Sequence, residues 1–98
     1  MNKIYLAGQI SGNQNYKIQF LDEELRLKRT YDNNVVVLNP TIFPYGLTQH
    51  EYMQLCRPML DIADCVLMLD GWENSAGAKV ERDYALKCSK PVFYQGEL

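Results

Sequence analysis

Along this chain, short β-compatible runs alternate with longer stretches in which apolar residues return every three or four positions. Lys3 to Ala7, Val35 to Leu38, Cys65 to Leu69 and Pro91 to Tyr94 are the short runs, and the first three end at turn formers: Gly8, Asn39-Pro40 and Asp70-Gly71. They read as strands, because such runs are too short for helices and are bounded by residues that break a ladder. From about Tyr16 to Tyr31, Ile18, Leu21 and Leu25 recur at helical spacing among charges, with Phe20 and Leu27 on a neighbouring row. The pattern predicts an amphipathic helix, stopped by Asp32, Asn33 and Asn34. Thr48 with Glu51 three residues later is a capping-box signature ahead of Met53, Leu55 and Cys56, so a second helix starts there. Pro58 has no amide hydrogen to donate and either kinks this helix or opens a new segment, so irregular geometry is expected near Cys56. Ser75 is a suitable N-cap for a third helix running to about Cys88.

The order β-α-β-α-β-α-β, with strands apolar enough to be covered on both faces, predicts an α/β fold. Its core would be a right-handed parallel sheet of about four strands with helices on both faces. Ninety-eight residues suffice for one such domain and no second. In open parallel sheets, ligands bind beyond the carboxyl ends of the strands, where strand order reverses. With a strand order of 2-1-3-4, the loops Gly8 to Asn15, Asn39 to Tyr45 and Asp70 to Ser75 surround the expected site, and the crevice lies between the first and third.

Within those segments Glu81 is the most informative residue. At about 100° per residue, Ala78, Val80, Tyr84, Ala85 and Cys88 fall on one arc of the third helix, and Lys79, Arg82, Asp83 and Lys87 on the other. Glu81 lies inside the apolar arc. A carboxylate there is costly unless paired or functional, and partial burial raises its pKa. It is either a site residue or a glutamate reaching a buried partner or water. Ser75, Gly77 and Ala78 would expose backbone amides at a helix N-terminus, where an anion is favoured, although a serine cap commonly does nothing more than cap. Gly8 and Gly12, on either side of Ser11, allow close approach to a ligand or simply form a turn. Trp72 either stacks on a base or closes the core, and Tyr5 faces a helix layer where its hydroxyl needs a partner.

Composition narrows the chemistry. A net charge of −2 and a pI near 5.3 provide no basic field for gripping a nucleic acid polymer. Apolar residues at 47% and charged ones at 22% indicate neither disorder nor a membrane class. Cys56, Cys65 and Cys88 sit in apolar stretches with no CxxC or Cys/His spacing, as in a reduced, cytoplasmic protein without a metal site. The start MNKIYLAG is read as a first strand, neither signal peptide nor membrane span.

The segments KIYLAGQISG, VLNP and IADCVLMLDGWENSAGAKVERDYAL together resemble the nucleoside 2-deoxyribosyltransferase-like superfamily, and most closely its short branch, domain of unknown function 4406. The most specific part is the D-x6-G-W-x2-S-x-G-A-x2-E pattern from Asp64 to Glu81. The resemblance implies a flavodoxin-like or Rossmann-like fold, a homo-oligomer, no cofactor, and a small-molecule nucleoside or nucleoside monophosphate as partner. It implies Glu81 as nucleophile in cleavage of the base–sugar N-glycosidic bond, by hydrolysis or by base transfer, and Tyr5 as a tyrosine that shapes the site. A serine at the place of Ser75 contacts the 5′-phosphate in the hydrolase branch. Gln9, Ser11, Asn39, Trp72 and Gly77 complete the expected binding set with Gly8 and Gly12. The enzymes carry an assisting aspartate where this chain has Cys56, and Asp70, at the end of the third strand, is the candidate to take over that role. The alternative is a non-catalytic nucleotide-binding or sensing module on the same fold.

Overall fold

A computed structural model describes residues Met1–Leu98 and contains four strands and three helices: β1 (Asn2–Ala7), α1 (Tyr16–Thr30), β2 (Val35–Leu38), α2 (Gln49–Ile62), β3 (Cys65–Met68), α3 (Ala76–Lys87) and β4 (Val92–Tyr94). Two 3₁₀ turns that periodicity does not reveal, Pro40–Ile42 and Trp72–Asn74, follow β2 and β3. All strand pairs are parallel, in the order β2-β1-β3-β4, and Tyr5 is registered between Leu38 on one side and Val66 on the other. The fold is thus the three-layer α/β sheet that the sequence predicts. No helix is long and apolar enough to cross a membrane.

Strand alternation divides the core in two. Ile4 and Leu6 of β1 point to one face, with Leu67, Leu69 and the α1 residues Phe20 and Leu27. Tyr5 and Ala7 point to the other, with Val66, Met68, Cys56 and Leu60 of α2, and Ala78 and Ala85 of α3. The chain moves from β1 to β2 in one direction and from β2 back past β1 to β3 in the other. Crossovers keep one hand, so this reversal sends α1 and α2 to opposite faces and opens a crevice at the carboxyl end of β1.

Two helices face the core differently from their apolar patterns. In α1 the buried row is Phe20, Glu23 and Leu27, while Ile18, Leu21 and Leu25 are 61%, 48% and 43% exposed. Glu23 can turn inward because Arg26, one turn on, lies against its carboxylate. In α3 the buried row is Ala78, Glu81 and Ala85, and Val80 and Cys88 are exposed. The small alanines let that face approach the sheet, which rotates the helix and brings Glu81 toward the middle of the buried side. Asp32 and Asn33, with φ of 53° and 59°, supply the left-handed turn that ends α1.

The second helix begins at the expected capping box. Thr48 Oγ1 accepts the Glu51 amide at 3.1 Å, and the Glu51 carboxylate accepts the Thr48 amide at 2.9 Å. Helix α2 runs through the exposed Pro58 as one element, and the Gln54 carbonyl that proline cannot serve also lies on an exposed residue. Thr48→Ala removes one half of the box and is expected to cost about 1 kcal/mol. A urea titration checks this: the midpoint falls with the slope unchanged, and an unmoved midpoint shows that the box carries no stability.

Candidate active site

The crevice at the switch point is a cavity of about 320 Å³. Its floor is Tyr5 of β1 and Glu81 of α3, and Gly8, Ile10 and Ser11 from the loop after β1 form one side. Pro40 and the segment Tyr45–Leu47 form the second side, and Gln49, Tyr52, Met53 and Cys56 present the inner face of α2 as the third. Ser75, Gly77 and Ala78 close it with the first turn of α3. Gly8 is held by packing: a Cβ there would sit 3.1 Å from the Phe20 ring and 3.2 Å from Leu69 Cβ, so glycine lets β1 end directly against α1.

At the floor, the Tyr5 hydroxyl donates a hydrogen bond to Glu81 Oε2, and both side chains are buried, Glu81 being 8% exposed. Removal from water raises the Glu81 carboxyl to about 7, against the lowering effect of the Tyr5 bond. Burial, and then the neighbouring Glu81 carboxylate, push the Tyr5 phenol well above its ordinary range. Burial likewise pushes the Cys56 thiol up, with the Tyr5 hydroxyl pulling the other way. The second oxygen of Glu81 has no hydrogen-bond partner within the chain and lies in the residue that lines the cavity. No lysine, arginine or histidine is among the lining residues.

At the cavity mouth, Ser75 Oγ accepts the Ala78 amide at 3.1 Å, which fixes the cap and leaves the first amides of α3 without intrahelical partners. The Gln49 side chain lies over this turn, its Nε2 only 2.5 Å from where a Gly77 Cβ would stand. The loop after β1 is tied in place by side-chain amides. Asn13 donates to the Gln9 carbonyl and to Gln19, and Gln19 donates to the Asp70 carbonyl at 2.9 Å.

Of the residues singled out from sequence, Tyr5, Gly8, Ser11, Ser75, Gly77 and Glu81 come together in this cavity, and Cys56 joins them. Five others do not line it. Gln9 folds back to the Ser11 carbonyl, and Gly12 makes a left-handed turn at φ 82°. Asn39 uses its side chain to hold Thr41 and Glu24. Asp70 is exposed, its backbone held by Gln19 and Gln95. Trp72 packs on Tyr94, with ring centroids 5.7 Å apart, and carries the Arg82 guanidinium 4.7 Å from its ring centre. Of the expected Asp70 to Ser75 loop only Ser75 lines the cavity, and the inner face of α2 takes the place of the rest; of the expected Asn39 to Tyr45 loop, Pro40 and Tyr45 line it. The spacing of Gln49, Tyr52, Met53 and Cys56, all on one side of a helix, was the signal available for that wall.

These features define a class: a three-layer α/β domain with a buried, tyrosine-bonded glutamate at its topological switch point. Residues 2–94 match the family described as "Domain of unknown function (DUF4406)", and the chain belongs to that family. No curated protein and no solved structure matches it.

Proposed function

We propose that this protein cleaves the N-glycosidic bond of a nucleoside or nucleoside 5′-monophosphate, with Glu81 as the nucleophile. The observation that carries the reading is the Glu81 carboxyl. It is buried at the bottom of an open-mouthed cavity, bonded through one oxygen to Tyr5, paired with no cation, and poised near neutrality. A carboxyl kept inside for structure alone is ordinarily paired, whereas one desolvated beside a cavity suits chemistry. The resemblance to the nucleoside 2-deoxyribosyltransferase-like superfamily supports the same residue independently.

In the retaining mechanism this reading implies, the free Glu81 oxygen attacks the anomeric carbon as the base departs, through an oxocarbenium-like transition state. Water or a second base then releases the sugar from the glutamyl ester. Tyr5 holds the carboxylate in orientation and, by donating to it, favours the ionised form that attacks. The Ser75 and Ser11 hydroxyls and the first amides of α3 are the groups available to sugar hydroxyls or a 5′-phosphate.

The test is incubation with nucleosides and their 5′-monophosphates whose bases range from neutral to cationic, followed by chromatography for free base. Base release by the wild type is expected, and none from any substrate, at enzyme concentrations well above trace contamination, sinks the reading. Saturable binding without release favours the second reading, a nucleotide-binding or sensing module. Cys56 speaks for that reading, because the superfamily's enzymes place an aspartate there.

A further inference from the structure

Breaking a neutral N-glycoside expels the base with an extra electron pair, so a glycosidase normally supplies a proton as well as a nucleophile. In this cavity Glu81 is the only carboxyl group, and no imidazole, ammonium or guanidinium lines it. Of the hydroxyls, those of Ser11 and Ser75 are alkyl alcohols, too weakly acidic to protonate a departing base, and Tyr45 is 67% exposed at the rim with no hydrogen bond to hold it over the floor. The Tyr5 hydroxyl donates to Glu81 itself, and the Tyr52 hydroxyl donates to the Pro44 carbonyl at 2.6 Å. Burial makes the Cys56 thiol a weaker acid than usual, and the Asp70 side chain is exposed outside the cavity. Glu81 cannot serve both roles, since the form that attacks carbon is the one that has lost its proton.

We infer that the substrate is a cationic N-glycoside, such as an N-ribosylpyridinium or an N7-alkylated purine nucleoside, whose base leaves as a neutral molecule without being protonated. This rests on the glycosidase reading and adds the substrate class to it. The cavity's one ionisable carboxylate attracts a cation, and a phosphate dianion would meet no side-chain cation among the lining residues. Tyr45 and Tyr52 are aromatic residues of the wall, the residue type on which a charged heterocycle is favourably held. The step balances as follows: a Glu81 oxygen forms a bond to C1′ while the C1′–N bond breaks and its electron pair passes to the ring nitrogen, cancelling the positive charge. Water then attacks C1′, its proton goes to solvent, and the Glu81 carboxylate is regenerated.

The experiment compares kcat/KM of the wild type for guanosine and 7-methylguanosine, as nucleosides and as 5′-monophosphates, with nicotinamide riboside as the pyridinium arm. An enzyme that protonates the base flattens the difference within the purine pair, and one that does not preserves it. The expected result is a preference of at least about 100-fold for 7-methylguanosine over guanosine, the size of a missing general acid. Cleavage of nicotinamide riboside with 7-methylguanosine inert assigns the pyridinium source, and the reverse assigns the alkylated purine. In Cys56→Asp, which places a carboxyl in the cavity wall beside Tyr5 and Glu81, absolute rates for both substrates change, but the ratio of guanosine to 7-methylguanosine kcat/KM should rise about tenfold or more. Guanosine cleaved within tenfold of 7-methylguanosine by the wild type, or a ratio unmoved in the variant, overturns the substrate class and leaves the glycosidase reading standing. Release of base from none of these compounds overturns both.

Discussion

Glu81→Gln is expected to reduce kcat for base release by about a thousandfold or more, equivalent to about 4 kcal/mol of transition-state stabilisation, while KM changes little. Glutamine has the shape of glutamate and can still accept the Tyr5 hydroxyl, so the cavity floor keeps its geometry. An amide oxygen, however, forms no stable ester with an anomeric carbon, and covalent catalysis is lost. Single-turnover kinetics on the best substrate decide the matter, and release persisting at the wild-type rate removes Glu81 from the role of nucleophile. Tyr5→Phe gives a complementary signature. The Tyr5 bond lowers the Glu81 pKa against the raising effect of burial, so its loss moves the rising limb of the pH–rate profile to higher pH.

Glu81→Gln is also expected to stabilise the fold at alkaline pH. The Glu81 carboxyl is raised by burial from an ordinary value of 4.5 to about 7, so the native state binds this proton more tightly than the unfolded chain. Its contribution is therefore fully present below about pH 4.5 and is lost as pH rises through about 7. The loss is on the order of 3 kcal/mol, a large share of a typical domain's stability of about 5–15 kcal/mol. Other carboxyls act in the opposite sense. Burial raises Glu24, but its bonds from Lys28 and Asn39 outweigh that and hold it low, and the Thr48 backbone and side chain hold Glu51 low. Stability from those two is lost as pH falls, so the wild-type curve is a sum, and the difference between wild type and Glu81→Gln isolates Glu81. Thermal melts should give nearly equal Tm values at pH 5 and a variant Tm about 10 °C or more higher at pH 8. A constant gap between the two proteins across that range contradicts the burial argument. Such a site holds its carboxylate at the expense of the fold, as functional residues commonly do.

Much of this arrangement was legible in the residues themselves, and the exceptions have identifiable causes. Strand positions could be read because a sheet covered on both faces demands short, unbroken apolar runs, and Thr48 and Ser75 announced their helices because orphan amides need an acceptor. Glu81 stood out because a carboxylate among apolar positions violates the helical pattern. That pattern misled in α1, where two apolar rows compete and the buried one contains Glu23. Periodicity assumes that charge faces water, and it has no means of knowing that Arg26 will cover the carboxylate. Trp72 and Asp70 follow from loop geometry. Gly71, at φ 91°, turns the chain into a 3₁₀ element that aims the indole at Tyr94, and a backbone angle in a loop leaves no hydropathy signature. Cys56 could be seen from its spacing with Gln49, Tyr52 and Met53, but its meeting with Tyr5 depends on how two elements dock.

The Tyr5–Glu81 bond joins positions 76 residues apart. During synthesis the strand bearing the tyrosine leaves the ribosome first and must wait, with both edges open, until Val35–Leu38 and Cys65–Met68 arrive to flank it. The carboxylate arrives later still. A nascent or truncated chain lacking the final helix therefore cannot possess this centre in any partial form.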